Sequence, residues 1–204
     1  RGHRAGRGGH LRARLSGRSA MDAQRRSAVR KVGVVIGVGA LAAPVLVSAV
    51  RPAPLAAEGF ASIDAALRTL AQLKQQAPRM AGAWDLAHVL HHTAQSVEYS
   101  MAGFPALKPA WFRATLGSYA FTLFNSRGAM SHDLAEPIPG APEIAQGQPL
   151  FPAVDRAIAA LRAFDAHTGA LQPHFAYGTL DKTAWTRAHL MHLANHWNEA
   201  AVAA

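Results

Sequence analysis

Apolar residues first recur at intervals of three and four at Ile63, Ala66, Leu67, Leu70 and Leu73, the repeat of one face of an amphipathic helix. Ser62 stands where an N-cap hydroxyl belongs and Pro78 lies past the end, so the pattern, helical from about residue 59, predicts a first helix of about four turns. A second helix is expected from near Trp84 to Met101, stopped by Gly103 and Pro105, and a third apolar segment from Trp111 to Asn125, before Gly128. Val154, Ile158, Leu161 and Phe164 mark another helix, closing near Gly169. The short connection His174 to Gly178, after Pro173, leads into a last helix from about Lys182 to Val202. Residues 126–150 hold four prolines and three glycines, which predicts a long irregular loop of the kind that forms a lid or rim. No useful stretch alternates as a strand would, and no segment repeats. The fold class is all-α, a helical bundle.

Ahead of the helices lies a different kind of segment. Residues 32–50 carry no charge and follow a basic stretch with Arg25, Arg26, Arg30 and Lys31, the layout of a secretory signal. The paired arginines and the glycine-rich apolar run resemble the twin-arginine export pattern, although Gln24 and Ala28 depart from it. Sec export and a retained anchor remain alternatives, because nineteen apolar residues nearly span a bilayer. Cleavage is expected after Ala49 or after Ala57. The division that follows is 1–20 as a basic disordered extension or an over-long start before Met21, 21–57 as an export signal, and 58–204 as the helical domain. A periplasmic or other extracytoplasmic location is implied, membrane-anchored only where the signal is retained.

Charge sharpens this division. Of the 21 Lys and Arg, ten fall in residues 1–31 beside a single acid, Asp22, whereas residues 32–204 hold eleven basic and eleven acidic residues. The net charge of +9 therefore belongs to the leader; the helical domain is neutral overall, which removes the charge-based expectation of a nucleic-acid partner. The absence of cysteine excludes disulfides, a thiolate nucleophile and sulfur-ligated metal. Any metal must be held by histidine, carboxylate, carbonyl or water.

Six histidines supply the chemistry: His88, His91 and His92 on the second helix, and His189, His192 and His196 on the last. At about 100° per residue, the latter three project within roughly 60° of arc. His88, His92, Gln95 and Tyr99 share a stripe of the earlier helix, with His91 on its flank. Side by side, two such helices could close a metal site. Two histidines at i and i+4 occur on many metal-free helices, so the ordinary alternative is a set of buried, hydrogen-bonded or surface imidazoles. Several together strain that alternative, since a buried imidazole without a partner costs on the order of 1–3 kcal/mol. One shared cation removes the cost for all of them.

The stretch Trp84 to Ser96, then Ser100 to Pro105, the His174 to Gly178 turn and the His189 to His196 helix together resemble a bacterial branch of the DinB-like superfamily, the one called domain of unknown function 1569. The resemblance covers about residues 60–200. It implies a DinB-like four-helix bundle, here with an extra short helix and the long Pro/Gly-rich loop. It also implies a divalent metal held by His92 on the second helix and by His192 and His196 as the H-x-x-x-H pair on the last. Superfamily members include thiol-dependent transferases and isomerases, and many dimerise through helix faces, so an unidentified small-molecule substrate, a thiol among the candidates, and a homodimer follow as expectations. Three imidazoles and an open fourth position suit zinc or nickel, with iron or manganese as alternatives.

Around this triad, His88 and His189 each lie one turn before an expected ligand and are alternates or pocket-lining groups. His91 is a surface or supporting residue. Gln95, Glu98 and Asn195 could orient the ligand imidazoles, and His174 either enters the pocket or makes a turn contact. The tryptophans Trp84, Trp111, Trp185 and Trp197 are expected in the core. No nucleophile elbow surrounds Ser96, Ser118 or Ser131, Asp133, Glu136 and Glu143 form no catalytic pair, and no glycine-rich phosphate loop follows a strand. The expectation is an exported metal-dependent enzyme that activates water or a small thiol for transfer or hydrolysis. A non-catalytic metal-binding or structural bundle is the rival.

Overall fold

The computed structural model describes residues 51–201. After a 3₁₀ turn at Glu58–Phe60 come helix α1 (Ile63–Gln72), α2 (Leu86–Ala102), a single turn α3 (Ala110–Phe112) and a π-helical turn (Arg113–Gly117) that continues into α4 (Ser118–Arg127). Helices α5 (Leu150–Ala166) and α6 (Lys182–Trp197) complete an all-α architecture. Three helix starts are fixed by side-chain caps. Ser62 accepts from the Ala65 N–H, Asp85 from that of His88 and Asp181 from that of Ala184, each such cap contributing about 1 kcal/mol.

The apolar stripes meet as their spacing requires. Phe60, Leu70, Leu90, Phe164, Trp185, Leu190 and Met191 are all at most 2% exposed and form one core. Helix α2 packs along α5 and touches α6, and α1 lies against α5. This places the histidine-bearing faces of α2 and α6 against each other.

Several boundaries differ from the sequence expectation. Helix α1 is shorter than four turns because Leu73 already closes it. Trp84 precedes α2, since Asp85 is the cap. Helix α6 ends at Trp197 instead of Val202 because the chain turns into a two-residue antiparallel ladder. In that ladder β2 (Ala200–Ala201) pairs with β1 (Arg79–Met80), extended by the Ala81 N–H donating to the Glu199 carbonyl at 2.8 Å. The ladder is the small exception to a strand-free expectation, too short for alternation to show. Trp185 and Trp197 join or abut the core as expected, but Trp111 is 64% exposed beside α4. At the end of the π turn a close approach requires glycine: a Cβ on Gly117 would stand 1.8 Å from the Ala176 carbonyl oxygen.

Residues 53–57, placed with the export signal by sequence, run beside α4. The Ala53 N–H donates to the Asn125 carbonyl at 3.2 Å, the Ala56 N–H to Gly128 at 3.0 Å, and Arg187 donates to the Ala53 carbonyl at 2.7 Å. Gly128 caps α4 with φ +65°, and any Cβ there would lie 1.9 Å from the Pro54 carbonyl oxygen. The extension 1–20, the apolar run and the Ala49 cleavage site lie outside the described residues. Among the described residues no helix is long and apolar enough to cross a membrane.

Candidate metal centre

His92 from the second turn of α2 and the pair His192 and His196 from the end of α6 converge on one point. His192 Nε2 lies 3.2 Å from His92 Nε2 and 3.2 Å from His196 Nε2. One ligand atom from each of the three falls within 4.8 Å of the others. Donors at 2.0–2.1 Å on a tetrahedral cation stand about 3.3–3.4 Å apart, so the spacing fits a divalent ion. It fits hydrogen bonding poorly. His192 Nε2 carries either one proton or one in-plane lone pair, so it can make a proper hydrogen bond with only one of its two neighbours.

All three rings are held neutral, the form that binds metal. Burial, then the nearby His132 and His88, pushes His92 down to about 3. Burial followed by His92, His132 and His88 does the same for His196, also to about 3. His192, half-buried, sits well below the ordinary value through burial and the neighbouring His196, His92 and His132. Trp84 covers the cluster: its ring centroid lies 4.8 Å from that of His92 and 5.8 Å from that of His196. His196 Nδ1 is buried without a partner among the described residues.

The flanking residues take other positions. His88 stacks on Trp84 at 4.3 Å, its Nδ1 buried and unpartnered among the described residues. Ser100 commits its one proton to the Val97 carbonyl, so His189 Nε2 donates to Ser100 Oγ at 3.1 Å and is no alternate ligand through that atom. His91 turns to the α5 side, where its Nδ1 lies 3.3 Å from Arg156. Glu98 does not orient an imidazole; both its oxygens accept from Arg156, at 3.0 and 2.7 Å. Gln95 likewise donates to the Pro142 carbonyl at 3.2 Å, tying the long loop to α2. Asn195 Nδ2 is buried with no partner among the described residues.

A cavity of ≈170 Å³ opens beside the cluster, lined by His92 and His192 together with His132, His174, Tyr177 and Trp185. His132, on the long loop, escapes periodicity arguments because no helix repeats it. Its ring centroid lies 5.1 Å from that of His192 and 5.4 Å from that of His196. The only signal available in sequence was a histidine inside a loop expected to form a rim. A second cavity, ≈490 Å³, runs between Trp84, His88, Gln95 and loop residues 135–146, and His92 borders both.

The family model described as "Protein of unknown function (DUF1569)" matches residues 56–202. The chain belongs to that family. The match includes every histidine of the cluster and begins at Ala56, within the segment that packs beside α4. No curated protein and no solved structure matches this DUF1569 chain.

Proposed function

We propose that this DUF1569 domain is a metal-dependent enzyme of the DinB-like type, in which His92, His192 and His196 hold one divalent cation, zinc or nickel first, on the floor of the ≈170 Å³ cavity. The observation that carries this reading is the convergence of three imidazoles, with His192 Nε2 3.2 Å from the Nε2 atoms of both His92 and His196 and all three ligand atoms within 4.8 Å of one another. A cation held there supplies Lewis acidity to a water or small thiol. The protein's own groups provide the rest. His132 donates its Nδ1–H to the Asp133 carbonyl at 2.8 Å, which leaves its Nε2 lone pair available beside the cavity. Trp84 shields the cluster from the opposite side.

A catalytic site is favoured over a closed storage or structural site by where the two alternates lie. His88 is stacked away on Trp84 and His189 donates to Ser100, so neither supplies a fourth donor. The test is elemental analysis of tag-free full chain with His92→Ala, His196→Ala and His91→Ala. About one equivalent of metal is expected in wild type and His91→Ala, and little in the other two. Equal metal in all three variants would discard the assignment. Export by residues 21–57 belongs to the same proposal, and the packing of residues 53–57 on α4 favours cleavage after Ala49 over Ala57. Intact mass of the secreted protein checks it.

A further inference from the structure

We propose that the cavity beside the three histidines takes a small molecule with an anionic oxygen group, a carboxylate in the simplest case, bound on the wall formed by Lys108, His174 and Tyr177. The inference rests on the metal-site reading for where the reacting end lies, but not for the wall itself.

The wall presents donors that the protein leaves unpaired or only weakly paired. His174 Nδ1 accepts from the backbone N–H groups of Ala176 and Tyr177, at 3.0 and 3.1 Å. Its proton must therefore sit on Nε2. That N–H has no acceptor among the described residues, although His174 is only 7% exposed and lines the cavity. Burial lowers His174 well below its ordinary value, so the ring stays a neutral donor with a fixed tautomer. Tyr177 stacks on it with ring centroids 4.1 Å apart and planes 8° from parallel. Burial pushes the Tyr177 phenol up to about 12, so it keeps its proton, and its partner is the Met130 thioether at 3.9 Å, a weak acceptor.

Lys108 brings the charge. Its N–H donates to the Phe175 carbonyl at 2.9 Å and its carbonyl accepts from Arg113 at 2.9 Å, which fixes its backbone to the turn that carries His174 and Tyr177. Lys108 is half-buried as a residue, and its ammonium stands 5.4 Å from the Phe112 ring centroid and forms no ion pair among the described residues. Glu136 lines the same cavity but is exposed. An N–H with no acceptor, a phenol paired only with a thioether and a cation without an ion pair match a carboxylate better than an amide or amine. Size gives a probe: a cavity of about 150 Å³ holds a benzene ring, so ≈170 Å³ suits a benzoate-sized molecule.

The test titrates zinc-loaded and chelator-treated full chain with benzoate, benzamide and benzylamine, followed by calorimetry. Benzoate is expected to bind about ten-fold tighter than benzamide, and benzylamine weakest. Lys108→Met and Tyr177→Phe should each weaken benzoate by about five- to ten-fold while leaving benzamide affinity and zinc content unchanged. Benzoate no tighter than benzamide, or unaffected by both substitutions, overturns the proposal. Benzoate binding that disappears with zinc yet ignores both substitutions puts the carboxylate on the metal and also overturns it. A chain that takes up no zinc but keeps the benzoate preference and its loss in the variants sinks only the metal reading.

Discussion

His91 and His92 are neighbours in sequence and opposites in fate. The 100° turn between them sends His92 toward α6, into a buried group of imidazoles, and His91 toward α5, beside an Arg156 that also grips Glu98. On the inner face, imidazoles crowd together and leave ring nitrogens without partners among the described residues, His88 Nδ1 and His196 Nδ1. On the outer face, opposite charges pair at a half-exposed surface, with Glu98 and Arg156 side chains 38% and 36% exposed. Neighbouring positions of a single helix therefore separate a face whose histidines lie close enough to hold a metal ion from one closed by an ion pair.

The largest effect that would break this contrast is in metal affinity. His192→Ala is expected to lower divalent metal affinity by more than about 100-fold, beyond what loss of a supporting contact usually costs; competition with a chromophoric chelator measures it. His91→Ala should stay within about three-fold of wild type, and an equal loss in both would erase the distinction between the faces.

Acid comes next. His174 and His189 are held neutral by burial, His189 down to about 3, whereas the unfolded chain takes up protons below about 6.5. The unfolded state binds more protons in that window, so stability is full above pH 6.5 and falls as the pH drops toward 3. The expected slope in metal-free protein is about 1.4 kcal/mol per pH unit for each such histidine. Urea midpoints at pH 7.5 and 5 would show it, and coincident midpoints would mean that the rings are not desolvated.

Smaller still is the cap of α2. Asp85 accepts from the His88 N–H and from the Gly147 N–H of the long loop; burial pushes its carboxyl up, but these bonds outweigh it and leave the group below the usual range. Asp85→Ala should cost about 1 kcal/mol in chemical unfolding. The smallest change belongs to the outer face: Glu98→Ala should cost about 0.5 kcal/mol, as half-exposed ion pairs do, with metal content unchanged. A loss of metal in that variant would show the faces to be coupled.

The helices were legible because three- and four-residue spacing survives in the final burial pattern, as at Ile63, Ala66 and Leu70. The convergence of His92 with His192 and His196 followed from two stripes of the same residue type together with the resemblance. What the sequence could not supply was anything set by the loops. His132 sits where no period operates, Trp111 has a core residue's composition and a surface residue's place, and Glu98 found a partner 58 positions away on α5. The short ladder joining Met80 to Ala200 lacks the length that would make alternation visible.

Trp84 gives the molecule an optical reporter of its own. Its indole lies against His88, His92 and His196 at centroid distances of 4.3, 4.8 and 5.8 Å, so a quenching ion such as nickel or copper seated among those rings would dim its emission without any label. Trp84→Phe would then subtract that signal from the fluorescence of Trp111, Trp185 and Trp197, and the difference spectrum would follow occupancy in real time.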